Sequence, residues 1–333
     1  MSHDAPPQAR MLGMIIGSFV SQALYVAAKL GIADLLGKGP KDSKELAAAT
    51  ATHAPSLYRL LRALGSVGVL SEDANGRFTL TPLGETLQVG KMREFAILMG
   101  APFHWRVWEE TLHAIQTGKP SFEKVHGQPA FEWLSKNPEP AQIFDGAMTS
   151  FTTSLLPAIV GAYDFSGIGK LVDVGGGHGA LLCAVLKASP KTSGVIYDLP
   201  HVIEGARKRI ADEKLEARCQ IVNGDFFASV PPADAYLMKH IIHDWDDEKA
   251  LTILKNCRKA MAKGGRVLLV EGVVPPGDAP SFDKLLDLEM LLFPAGRERT
   301  EAEFRELFRS ADLELTKLIP TPSPVCLLEA RAR

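Results

Sequence analysis

The stretch Leu171-Val172-Asp173-Val174-Gly175-Gly176-Gly177-His178-Gly179-Ala180 decides the fold. Leu171 to Val174 is a run of β-formers, the glycines after it allow positive φ and close backbone approach, and a helix-forming run from Ala180 to Ala188 begins at once. Strand, tight turn and helix in that order expose a helix N-terminus, whose unpaired N–H groups and positive dipole end suit a carboxylate or a phosphate. The missing Cβ atoms let a ligand lie against the main chain. The turn therefore reads as a cofactor seat.

Two cofactor classes fit that seat. Gly175, Gly177 and Ala180 match the dinucleotide fingerprint with alanine in third place, while Gly175, Gly177 and Gly179 after Asp173 match the tighter spacing of S-adenosylmethionine (SAM) methyltransferases. The motif alone leaves the choice open, and it leaves open a glycine-rich turn that holds no ligand.

At 333 residues two domains are expected, and 46% hydrophobic content is ample for their cores. A formal net charge of −2 gives no bulk attraction to nucleic acid or to anionic membranes. Cys183, Cys219, Cys257 and Cys326 form no C-x-x-C pair and have no nearby histidine spacing that would hold zinc, so reduced, buried thiols in a cytosolic protein are expected. Met1 to Arg10 carries Asp4 and two prolines where a signal peptide would have a basic region and an apolar stretch, so no leader is read. Met11 to Leu36 is apolar, but Ser18, Ser21, Gln22, Lys29 and Asp34 interrupt it, and a buried helix fits better than a membrane span.

Within that stretch Ala23, Leu24, Ala27, Ala28 and Leu30 recur at helical spacing, whereas Met11 to Phe19 is apolar on nearly every side. Burial on two faces points to a partner chain, the alternative being a place in the middle of a bundle. Ser43 to Thr50 reads as a short helix capped by Ser43, and Ala54 to Val67 as a second with Leu57, Leu60, Leu61 and Leu64 on one stripe. Strand-like runs at Gly68 to Leu70 and Arg77 to Leu80 flank a turn marked by Asn75-Gly76. Helix, helix and wing form a winged-helix pattern. A DNA reader would show excess Arg and Lys there, but Lys44, Arg59, Arg62 and Arg77 are balanced by acidic residues at 45, 72, 73 and 85, which favours packing and dimer contact.

Phe103, His104, Trp105 and Trp108, followed by Phe131, Trp133, Phe144, Met148 and Phe151, make the middle of the chain aromatic-rich. Most such residues are core, and a minority are expected to line an apolar pocket at the domain junction. From Lys170 onward strands at 171–174, 194–198, 219–223, 235–239 and 266–270 alternate with helices at 180–188, 201–213 and 246–262. That alternation predicts a parallel sheet covered on both faces, with ligands at the carboxyl ends of its strands.

Chemistry-bearing residues stand at those ends. Asp198 is placed to accept from ribose hydroxyls in either cofactor class, and Asp225 to accept from an exocyclic adenine amine, with Phe226 against the ring; a helix N-cap is the alternative for Asp225. His243 follows the fourth strand and suits removal of a proton from a hydroxyl near neutral pH, a structural histidine being the alternative. Asp246 and Asp247 read as cap and first-turn charge of the next helix, so no metal is expected from this acidic cluster. Glu271 and Glu298 are candidates to orient the imidazole, the alternative for Glu298 being an ion pair with Arg297 or Arg299.

Together Val172–Gly177 with Gly179, Asp198–Ile203, Gly224–Phe227, Met238-Lys239, His243-Asp244-Trp245, Glu271 and Gly296–Thr300 resemble the SAM-dependent O-methyltransferases of the plant caffeate type and their bacterial relatives, over nearly the whole chain. The resemblance implies an α/β Rossmann-like methyltransferase domain (166–333), a mainly α winged-helix dimerisation domain (1–100), and a helical linker (101–165) that contributes to the substrate pocket. It implies His243 as base flanked by Glu271 and Glu298, and SAM held by Asp173, Gly175, Gly177, Asp198, Asp225, Phe226 and Lys239, leaving S-adenosylhomocysteine as product. Substrate-lining positions fall on Phe144, Met148, His240, Met290 and Phe293. Ala295 replaces the family's third glycine, and Phe293 its pocket asparagine, which weighs against a plant phenylpropanoid acceptor. The reading is a cytoplasmic homodimeric enzyme acting on a small aromatic hydroxyl, with neither nucleic acid nor membrane as partner. S- or N-methylation, non-methylating chemistry on the same fold, an NAD-dependent oxidoreductase and a ligand-sensing winged-helix regulator are its rivals.

Overall fold

A computed structural model describes residues 5–333; Met1–Asp4, where the leader reading began, and the side chains of His201 and Glu204 lie outside the described residues. The chain divides into two units. The first extends to Trp105 and takes in Gln142–Ser154; the second comprises Arg106–Ala141 and Leu155–Arg333.

In the first unit α1 (Pro7–Ile15), α2 (Gly17–Lys29) and α3 (Ile32–Leu36) precede β1 (Lys41–Asp42), α4 (Ser43–Thr50), α5 (Ala54–Ser66), β2 (Leu70–Glu72), β3 (Arg77–Leu80) and α6 (Arg93–Gly100). β3 pairs antiparallel with both β1 and β2, completing a three-stranded wing. Leu57, Leu61 and Leu64, three to four residues apart, turn one face of α5 onto Leu46, Phe78, Ile32 and Leu36.

Three local expectations need correction. Asp42, not Ser43, caps α4: its Oδ1 accepts from Lys44 N and Glu45 N at 2.8 Å each, and Glu45 Oε2 accepts from Asp42 N at 2.7 Å. The wing's first long strand starts at Leu70, because Gly68 adopts φ +78° and still belongs to the turn after α5. Met11–Leu36 is three helices rather than one buried helix. α1 buries no residue within the single chain, and Met11, Leu12, Met14, Ile15 and Phe19 are exposed.

Helices α7 (Pro102–Glu109), α8 (Thr111–Thr117), α9 (Ser121–His126), α10 (Ala130–Lys136) and α11 (Pro138–Ala162) come next. By length and composition alone α11 could cross a membrane, as could α1 and α2 taken together, a criterion that a core helix also meets.

The second unit's sheet uses β4 (Lys170–Val174), β5 (Ser193–Asp198), β6 (Cys219–Asn223), β7 (Ala233–Lys239) and β8 (Met261–Glu271), then β9 (Leu313–Pro320) and β10 (Cys326–Ala332). Helices α12 (Ala180–Ala188), α13 (Pro200–Asp212), α14 (Asp247–Ala260), α15 (Phe282–Leu292) and α16 (Glu301–Ser310) connect them. The strand order is β6-β5-β4-β7-β8-β10-β9. β4 to β8 are parallel as expected, but β10 runs antiparallel to both β8 and β9, so the sheet is mixed. A turn at 321–325 returns the chain directly, and no crossover helix is needed.

The order reverses between β4 and β7: the chain winds outward through β5 and β6, then returns to lay β7 beside β4. Helices on either side of that point leave a crevice at the strands' carboxyl ends. Gly175 follows β4 and His240 to His243 follow β7, so the two most informative motifs open onto one place.

Candidate active site

On the cofactor side, Gly175 turns the chain at φ +69°, and a Cβ there would lie 2.4 Å from Ile241 Cδ1. Any other residue there would be strained by the positive φ and would have to displace the Ile241 side chain. Among the described residues, its chain neighbours aside, no heavy atom lies within 4 Å of a Cβ position at Gly177, so that side of the turn is open to a ligand. The Gly177 N–H donates to Asp198 Oδ2 at 2.8 Å, and Leu199 N–H donates to Asp198 Oδ1 at 2.7 Å, which fixes that carboxylate at the end of β5. Asp225 accepts from Phe227 N at 2.8 Å in a turn after β6 and caps no helix there. Phe226 stands edge-on to Phe227 and Trp245, at 4.9 and 6.2 Å between ring centroids.

Asp173 is buried, and burial together with the Asp198 carboxylate pushes its pKa up to about 7. Burial pushes Lys239 down to about 8. A nucleoside carrying a positive charge suits this seat: it relieves the repulsion between Asp173 and Asp198, and the open backbone at Gly177 gives it room. A cation bound here would favour ionised Asp173, so if this turn is the SAM seat that the resemblance implies, SAM affinity should increase as pH rises through about 7 and then flatten. Calorimetry between pH 6 and pH 8 checks this, and an affinity independent of pH would remove Asp173 from the account.

On the reaction side, His243 sits on a short 3₁₀ turn, Ile242–Asp244, with its side chain 7% exposed. Its Nδ1 lies 2.6 Å from Glu298 Oε1 and 3.8 Å from Glu271 Oε2. The first distance is a strong hydrogen bond and the second is not one. Glu271 instead accepts from Ile241 N and Ile242 N at 3.1 and 2.9 Å, holding the turn's main chain. Burial, then Asp283 and Asp287, push Glu298 up to about 8, and burial raises Glu271 and takes Asp244 up to about 7. Asp244 Oδ1 is 3.5 Å from His243 Nε2.

The ion-pair alternative for Glu298 is not what forms: Arg297 pairs with Glu303 and Asp247, and Arg299 with Asp247. Asp246 caps α14, accepting from Lys249 N at 2.8 Å. His240 stacks on His243 at 4.7 Å between centroids, with its Nδ1 3.0 Å from Lys239 Nζ. Its φ of +51° is a strained conformation for a histidine, of the kind that gathers at functional sites.

Met290 and Phe293, at the end of α15, lie in the same unit as His240 and His243, whereas Phe144 and Met148 fall in the 142–154 part of α11 that groups with the first unit. Phe293 packs edge-on to Phe122 at 4.7 Å and Phe122 to Trp133 at 5.6 Å, while Phe131 meets Trp245 at 5.4 Å. Phe122 was not singled out from the sequence, where an isolated aromatic carries no signal. Arg299 was given no role from the sequence beyond a possible pairing with Glu298 and its place in the 296–300 run, yet it is 1% exposed. A charged residue lodged between the candidate carboxylate and a helix N-cap was the available hint.

An open α/β sheet carries a glycine turn and a fixed carboxylate at its switch point, with a buried histidine–carboxylate pair on the next strand's end. The comparisons with known proteins name the class. Residues 108–314 match the O-methyltransferase domain and residues 12–90 the O-methyltransferase dimerisation domain. The phenazine O-methyltransferase PhzM of Lysobacter antibioticus is 44% identical over 330 residues, covering 98% of this chain and 96% of that protein. The solved structure of LaPhzM is similar with a TM-score of 0.94 at 43% identity, covering 99% of this chain and all (100%) of that one. NcsB1 from neocarzinostatin biosynthesis, solved with SAM and 2-hydroxy-5-methyl naphthoic acid, aligns with a TM-score of 0.79 at 35% identity, covering 94% of this chain and 96% of that one. The chain belongs to the O-methyltransferase family. It uses SAM, which settles the choice the glycine motif left open, and transfers a methyl group to a hydroxyl of a small molecule.

Proposed function

We propose that His243 removes the proton of an aromatic hydroxyl while Asp173, Gly175, Gly177, Asp198, Asp225, Phe226 and Lys239 hold SAM. The observation that carries this is the buried pair His243 Nδ1–Glu298 Oε1 at 2.6 Å. With Nδ1–H donated to Glu298, Nε2 bears the lone pair and accepts the acceptor's proton, and the carboxylate stabilises the imidazolium that forms. SAM supplies an already activated methyl, so alignment and deprotonation are what the protein adds. Glu271 contributes by holding the 241–242 main chain and by its charge. Within the second unit His240, Met290 and Phe293 line the acceptor's place, and the half-buried Trp133 and Phe131, the first packed on the buried Phe122, add aromatic faces suited to a flat ring system. The phenazine and naphthoate chemistry of the relatives supports an aromatic acceptor.

The test is incubation with methyl-labelled SAM and a panel of hydroxyphenazines, hydroxynaphthoates, flavonoids, quinols, amines and thiols, read by mass. An O-methylated hydroxyarene is the expected product; methylation confined to nitrogen or sulfur would refute the hydroxyl assignment.

The matched dimerisation domain and the exposed apolar α1 support a homodimer built on 1–100, with 101–165 as the helical linker and 166–333 as the methyltransferase domain. Sedimentation at micromolar concentration should show a dimer. Met14→Glu with Ile15→Glu should shift it toward monomer, and a monomeric wild type would contradict the proposal. A cytoplasmic enzyme with no membrane or nucleic-acid partner fits the near-neutral charge and the polar Thr149, Ser150, Thr152, Thr153 and Ser154 within α11.

A further inference from the structure

We propose that Arg299 is a positioning residue for the base: with Gly296, Arg297 and Glu298 it forms a clamp that holds the main chain of the His243 turn while Glu298 holds the ring. The proposal rests on the reading of His243 as base. Arg299 Nη1–H donates to Ile242 O at 3.0 Å and Nη2–H to Trp245 O at 2.9 Å. Nε–H and Nη2–H reach Asp247 Oδ1 at 2.9 and 2.7 Å. The carbonyl of His243 itself accepts from Arg297 N–H at 2.8 Å.

Thus the carbonyls of Ile242, His243 and Trp245 are each gripped by the 296–299 segment. Gly296 seats that segment: a Cβ there would lie 2.0 Å from His243 O and 2.5 Å from Asp244 C, so only glycine lets the two stretches touch. The guanidinium is buried, and Asp247, whose side chain is 60% exposed, balances its charge. A planar fork reaches carbonyls in two directions and a carboxylate in a third, which a single ammonium does not reproduce. Glu298 hangs from the same four residues, so a shift of the clamp moves ring and main chain together.

The guanidinium also lowers the proton affinity of Glu298, against burial and the Asp283 and Asp287 carboxyls of α15 that raise it. The other charged or titratable groups around His243 are Lys239 and His240 at the end of β7, Asp244 on its own turn and Glu271 on β8. Removing the positive charge of Arg299 therefore makes Glu298 hold its proton to higher pH. Keeping the charge but losing the fork leaves the titration in place and loosens the ring.

The test compares full-length wild type, Arg299→Lys, Arg299→Met and Asp247→Asn. NMR of ¹⁵N-histidine-labelled protein reads the His243 tautomer and, through the ring shifts, the midpoint of the Glu298 titration, with the resonance assigned by its loss in His243→Ala. Turnover of the best hydroxyarene from the panel is measured alongside. Arg299→Lys should lower kcat roughly ten- to a hundredfold, with the KM for SAM within about twofold, and keep the wild-type midpoint while losing the pure Nδ1–H tautomer. Arg299→Met should move the midpoint to higher pH. Asp247→Asn, at an exposed carboxylate where folding is least threatened, should show the tautomer change even if Arg299→Met does not fold. A wild-type tautomer and midpoint in every folded variant would overturn the proposal. If instead His243→Ala keeps full activity, the base assignment fails, and the NMR arm still decides whether Arg299 holds the ring.

Discussion

Replacing His243 by alanine should lower kcat by roughly 10² to 10⁴ and leave SAM affinity nearly unchanged, because a general base acts in the transition state and not on the bound cofactor. The imidazole is buried on a turn whose main chain is tied to Glu271 and to the 296–299 segment, so the cavity left by alanine is local. Glu298→Gln keeps the shape and replaces an anion with a neutral amide, and its effect should fall between alanine at 243 and wild type. The wild-type rate should also climb with pH. Glu298 is pushed up to about 8, so the carboxylate that accepts from Nδ1–H becomes favoured as pH passes through that value. Below it the carboxyl is protonated and no longer stabilises an imidazolium. Steady-state kinetics across pH 6 to pH 10 check the sign, and a rate that falls over that range would contradict it.

Asp198→Ala should weaken both SAM and S-adenosylhomocysteine by about 1.5 to 3 kcal/mol, roughly ten- to a hundredfold or somewhat more, through loss of a charge-assisted hydrogen bond. The structure adds a reason for the size. Asp198 accepts from Gly177 N and Leu199 N, so its removal also frees the glycine turn proposed to receive the cofactor. Asp173 would lose a repulsive neighbour, and its carboxyl would ionise more readily, partly offsetting the loss at neutral pH. Isothermal calorimetry with S-adenosylhomocysteine gives the number, and unchanged affinity would show that the end of β5 does not carry the nucleoside.

The placement of Gly175, Asp198, Asp225, Lys239 and His243 at or just after the carboxyl ends of β4 to β7 was legible because each closes or follows a run of β-formers. The closing pair β9 and β10 was not read, although Leu313, Leu315 and the intervening Glu314 alternate in and out as a strand should. They follow α16 directly and pair with each other across a short turn, so the βα rhythm that marked the earlier strands stops before them. The roles of Glu271 and Glu298 could not be ranked from the chain, since each stands after an apolar run and near the same histidine in reach. Only packing shows that Glu271 spends one oxygen on two backbone N–H groups while Glu298 meets the ring. The clamp on the base was invisible for a similar reason: Arg299 and Trp245 are 54 residues apart. Nothing in either segment alone names the other.

The buried His243–Glu298 pair as base is tested most directly by its dependence on acceptor acidity. Wild type and His243→Ala should be compared on two hydroxyarenes of similar shape, one ionised at the assay pH and one not. The predicted result is a loss of roughly 10² or more on the weakly acidic hydroxyl and almost none on the ionised one, because an acceptor that has already lost its proton needs no base. An equal loss on both, or full activity on both, would contradict the account and leave His243 a structural residue.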